Sequence, residues 1–226
     1  MIDESTWRES IEAGCLPAGV STVREGLEAL GRSGAGELIY SAGLKWPDFD
    51  FSRGQSLVVA LKDSELLYRC GWMWRGFDVA SGMEALCDLA SARLIYLAGL
   101  NWRGFDFKMG QEALQGRKDP EQLFYAGQHW RDFDFEMGLK SLLAMGEPES
   151  IYRAGTRWRV FDYAAAWAVL EESSFEGARW REEAFYHKVW RKALQCIWSE
   201  KVGAPAPVSM PEGALEKRRT GGSWAL

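Results

Sequence analysis

A tryptophan recurs every 28 residues along this chain, at Trp46, Trp74, Trp102, Trp130 and Trp158, without slippage. Gly43, Gly71, Gly99, Gly127 and Gly155 keep the same interval, and so do the pairs Phe49-Asp50, Phe77-Asp78, Phe105-Asp106, Phe133-Asp134 and Phe161-Asp162. Tyr40, Tyr68, Tyr96, Phe124 and Tyr152 fall into the register. A second glycine recurs at Gly54, Gly82, Gly110 and Gly138 and becomes Ala166 in the last copy. Such phase means that one structural unit is built five times, over 37–64, 65–92, 93–120, 121–148 and 149–176.

The spacing inside each copy is helical. Ile39, Ala42, Gly43 and Trp46 stand at i, i+3, i+4 and i+7, and Ile95, Ala98, Gly99 and Trp102 repeat them. A short turn such as Pro47-Asp48-Phe49 follows. The recurrent Asp then offers a carboxylate to the free amides of a second helix, whose stripe reads Phe51, Gly54, Val58 and Leu61. Two helices of about ten residues and their turns fill the unit. One such hairpin cannot bury its apolar stripe alone, so neighbours must stack. Helix-interior glycine costs about 1 kcal/mol against alanine. Nine of them imply close packing, with a Trp or Phe ring over bare backbone.

These features predict an all-α chain, a right-handed-type α-solenoid of 28-residue helical-hairpin repeats. Residues 1–36 read as a degenerate N-terminal capping repeat in which Gly26 sits 28 before Gly54. Residues 37–176 are the five repeats. Residues 177–202 read as a C-terminal capping helix with Tyr186, Trp190, Leu194 and Ile197 on one face, and 203–226 as a flexible tail. The resemblance is to the α-solenoid class alone: the period is shorter than that of tetratricopeptide and ankyrin units, and the ankyrin T-P-L-H motif is missing.

Charge argues against a duplex-binding protein, which needs a broad basic face. The net charge is −5, and residues 37–176 carry 15 basic and 21 acidic side chains. Cys15, Cys70, Cys87 and Cys196 lack C-x-x-C spacing and read as small, reduced core residues. With no secretory signal at Met1-Ile2-Asp3 and no long apolar run, the expectation is a cytoplasmic protein without a membrane span. Neither His129 nor His187 sits in a catalytic motif, so the chain reads as a non-enzyme without cofactor or metal.

In a repeat protein the recurrent residues build the scaffold and the variable ones are free to meet a partner. One face of each first helix varies: Arg69, Trp72 and Met73; Leu97, Leu100 and Asn101; Tyr125, Gln128 and His129; Arg153 and Arg157. These are residue types common in protein interfaces, and the expected partner is another protein held along that face, as by an adaptor or an inhibitor. The alternative reading is nucleic-acid binding through Arg75, Arg103, Arg131 and Arg159, one per repeat beside an aromatic. Against it, each Arg could stack on a ring and pair with a cap Asp.

Overall fold

The computed structural model describes residues 2–172 together with Trp190, Lys192 and Ala193. Among the described residues the chain forms twelve α-helices and no strand: α1 (Glu4–Glu12), α2 (Val23–Ser33), α3 (Gly36–Lys45), α4 (Phe51–Ala60), α5 (Ser64–Met73), α6 (Val79–Leu89), α7 (Ala92–Asn101), α8 (Phe107–Arg117), α9 (Pro120–His129), α10 (Phe135–Met145), α11 (Pro148–Arg157) and α12 (Tyr163–Glu172). From Gly36 onward the helix starts themselves recur at 28 residues. Apart from Trp190, Lys192 and Ala193, the predicted capping helix (177–202) and tail (203–226) lie outside the described residues.

Local chemistry sets these boundaries. The carboxylates of Asp50, Asp106 and Asp134 each accept from the backbone N–H three residues on, at 3.0 Å. Asp162 accepts from both Ala164 and Ala165. An N-cap of this kind stabilises its helix by about 1 kcal/mol. Pro120 and Pro148 open α9 and α11, where a missing N–H costs nothing. Two helix ends take a left-handed lysine, Lys62 at φ 56° and Lys118 at φ 53°.

The packing falls into two compact units, one of Met1–Gln122 with His129–Phe133 and the other of Leu123–Gln128 with Asp134–Leu226. In the first, α1, α3, α5 and α7 neighbour one another in sequence, as do α2, α4, α6 and α8. In the second, α11 packs on α10 and α12. The core positions are periodic: Ile39, Leu67, Ile95, Leu123 and Ile151 are fully buried, as are Ala42, Cys70, Ala98, Ala126 and Ala154, and Val58, Leu86, Leu114, Leu142 and Leu170. Ile11 and Leu30 continue two of these series into the N-terminal segment.

The glycines account for the tryptophans. A methyl group on Gly43, Gly71, Gly99 or Gly127 would lie within 3.0 Å of the indole of Trp74, Trp102, Trp130 or Trp158 respectively. Only a bare helix backbone lets the ring that close. Each indole N–H then donates to a carbonyl in the preceding copy: Trp74 to Tyr40, Trp102 to Tyr68, Trp130 to Tyr96 and Trp158 to Phe124, at 3.0–3.1 Å. The second glycines serve a different ring. A methyl on Gly54, Gly82 or Gly110 would collide with Phe49, Phe77 or Phe105 of the same copy. Those phenyl rings in turn pack 5.1–5.2 Å from Trp74, Trp102 and Trp130.

Candidate interaction face

The face carrying the variable residues lies on the first helices. In the first unit, Leu44, Trp72 and Leu100 occupy equivalent positions on the neighbouring helices α3, α5 and α7. They are 42%, 53% and 44% exposed, and Met73 beside them is 49% exposed. The in-register Trp74, Trp102 and Trp130 are only 4–5% exposed. Scaffold and variable positions are therefore separated by burial, two residues apart in sequence. Ordinary soluble surfaces carry single apolar residues; a row across three adjacent helices is a patch.

Polar side chains flank the row and are held in place by the recurrent tyrosines. Arg69 pairs with Glu37 at 2.6 Å while its guanidinium stacks 4.2 Å above the Tyr40 ring. Asn101 donates to the Tyr68 hydroxyl and to the Leu97 carbonyl, both at 2.9 Å, while the Trp72 and Tyr68 ring centroids stand 6.2 Å apart. Burial pushes the Tyr68 phenol above its ordinary pKa, which keeps it a neutral hydroxyl. Tyr96 shares a 2.8 Å hydrogen bond with Nδ1 of His129. Scaffold hydroxyls thus orient Asn101 and His129, and a scaffold ring orients Arg69; a pre-oriented side chain loses less entropy on binding.

In the second unit the same positions are more polar. Arg153 donates to the Tyr125 hydroxyl at 3.2 Å and lies over the Phe124 ring at 4.5 Å. Gln128 and Arg157 are exposed, and Tyr125 and Arg153 are half-buried. Of the remaining variable residues, His129 is exposed and Leu97 half-buried.

The arginines after each tryptophan are exposed. Arg75, Arg131 and Arg159 stack over Phe51, Phe107 and Phe135, at 6.0, 5.2 and 4.9 Å. Under Arg103 the equivalent residue is Val79. The cap carboxylates of Asp106 and Asp134 accept from their own helix amides, and Arg131 pairs with Asp132 of the turn. Among the described residues, no three His, Cys, Asp or Glu side chains converge as metal ligands, and no helix is long and apolar enough to cross a membrane.

One polar device escaped the sequence. Gln55 is buried, and its side-chain amide makes two 2.9 Å bonds with the backbone of Asp78, donating to the carbonyl and accepting from the N–H. It ties the second helix of one copy to the turn of the next.

The fold defines a class: an all-helical protein built on a recurring pair of short helices. No protein family, curated protein or solved structure gives a significant match to the chain.

Proposed function

We propose that this protein is a binding module without catalytic activity, an α-solenoid of five 28-residue repeats that holds a protein partner along the variable face of its first helices. The observation that carries the reading is the exposed row Leu44, Trp72, Met73 and Leu100, set against the burial of every in-register tryptophan from Trp46 to Trp158. Repetition constrains a scaffold residue because it meets the same neighbour in each copy. A position that holds leucine, tryptophan and leucine and then Gln128 and Thr156 meets no such constraint. Exposed Trp and Met flanked by oriented Arg and Asn match the anchors of protein interfaces, where a few residues carry most of the affinity. The rest of the assignment is an adaptor or inhibitor role in the cytoplasm, with residues 1–36 and 177–202 closing the two ends.

The test is a comparative capture from the native cell with the intact chain as bait. The double variant Trp72→Ser/Leu100→Ser should lose a specific partner while melting at the wild-type temperature, because both side chains are exposed. A partner retained at unchanged affinity would move the binding surface elsewhere. The alternative, nucleic-acid binding through Arg75, Arg103, Arg131 and Arg159, is favoured by one observation: these arginines are exposed, and three are fixed on rings. It predicts an affinity for single-stranded RNA or DNA that falls steeply with salt.

A further inference from the structure

Each repeat offers a slot that the next tryptophan fills, and the last slot is filled from outside the register. The 28-residue phase would deliver residue 186, a tyrosine, to the glycine of the fifth copy. The residue found there is Trp190, four positions later. It is fully buried, and its indole N–H donates to the Tyr152 carbonyl at 3.1 Å. That acceptor is the equivalent of Tyr40, Tyr68, Tyr96 and Phe124 in the earlier slots. A methyl group on Gly155 would lie within 3.0 Å of this ring, just as one on Gly127 would strike Trp158.

Phe161 and Tyr163 stand where Phe49 and Phe51 meet Trp74, and two further features set this slot apart. Tyr152 stacks on the indole at 5.9 Å, and Phe161 and Tyr163 meet it edge-on at 5.7 and 5.1 Å. The Tyr163 hydroxyl donates to the Gly155 carbonyl at 2.7 Å, a bond the other copies cannot make with Phe51, Val79, Phe107 or Phe135 at that position. Ala166 stands where Gly54 and Gly110 leave room for the far edge of an in-register indole. Bare backbone accepts a flat ring, three aromatic side chains enclose it, and a carbonyl selects a ring that carries an N–H.

We infer that the Gly155 slot is an indole-binding site in its own right, occupied in cis by Trp190, and that this side chain is the plug that ends the series. Removing the plug leaves an apolar cavity with one acceptor, the setting in which a small aromatic molecule binds an engineered void. The ligand class is a 3-substituted indole.

The intact chain carrying Trp190→Ala tests this directly, with N-acetyl-tryptophanamide as the probe. At millimolar concentration the probe should raise the melting temperature of the variant by several degrees and saturate, leave the wild type unchanged, and outperform N-acetyl-phenylalaninamide, which lacks the N–H. No rise, or the same rise in the wild type, overturns the proposal. Should that variant fail to fold, Gly155→Ala in the otherwise native chain decides the matter. Its methyl group should expel the ring, so that the Trp190 indole N–H exchanges at least about tenfold faster while that of Trp130 keeps its protection. Unchanged exchange at Trp190 overturns the proposal equally.

Discussion

The indole of Trp130 covers the bare backbone of Gly99 and donates its N–H to the Tyr96 carbonyl, three residues before that glycine. One ring thereby removes apolar surface from water, fills the space where a side chain would stand and satisfies its own donor. Truncating such a buried tryptophan to alanine costs about 3–5 kcal/mol.

Gly99→Ala should destabilise the protein by about 1–3 kcal/mol, because the methyl group must displace the ring. Helix propensity alone predicts a gain of about 1 kcal/mol. Gly116 supplies the control. It lies within α8, and beyond its own helix backbone no atom comes within 4 Å of where an added methyl group would stand. Gly116→Ala should therefore raise stability by the propensity gain. Urea unfolding of the two variants should move in opposite directions. A shift of the same sign in both would defeat the packing argument.

Gln55→Met should cost about 1–3 kcal/mol, since it strips the Asp78 N–H of its acceptor and leaves the Asp78 carbonyl with the Gly82 N–H alone. The substitution is telling because Met83 occupies the equivalent site one copy later. If chemical denaturation found Gln55→Met neutral, the turn at Asp78 would not depend on the amide.

The helix pair, the cap carboxylates and the need for a ring over the recurrent helix glycines were legible from the 28-residue phase. Which ring covers which glycine was not. In a strict repeat Trp46 and Trp74 stand in identical sequence surroundings, so spacing cannot say whether Gly43 is covered from its own copy or the next. The structure answers it both ways: Trp74 comes from the next copy to Gly43, and Phe49 from the same copy to Gly54. The Gln55 amide was hidden for a related reason: its equivalents are Met83, Gln111 and Leu139, so the position alternates between amide and apolar side chains and gives no single periodic signal. Trp190 was named on the closing helix, but its place in the Gly155 slot breaks the register and so carried no periodic signal.

Charge reversal at Arg103→Glu and Arg131→Glu separates the two binding readings. Protein-partner affinity should stay within about twofold of wild type, because surface charges away from an interface contribute little. Loss of a salt-sensitive affinity for single-stranded nucleic acid would assign the function to these arginines instead.

Thiol reactivity should follow burial. Burial pushes the Cys87 thiol up to about 11 and the Cys70 thiol further still, so both are protonated and poorly nucleophilic at pH 8. Cys15 is exposed. In a Cys196→Ser background, a disulfide reagent at pH 8 should consume one thiol rapidly and the other two only after denaturant is added. Rapid native-state reaction of Cys70 would contradict its position in the core.

Because Gly43, Gly71, Gly99 and Gly127 each take an indole from the same distance along the chain, with its N–H on the carbonyl three residues before the glycine, neighbouring copies are interchangeable at these joints. A gene encoding such a chain can lengthen or shorten by one whole unit and still match each ring to a glycine. A deletion one residue shorter would leave the later pairs intact but put the ring at the junction one residue out of step with its glycine. Lineages that carry this architecture are expected to differ in unit number far more readily than in unit length.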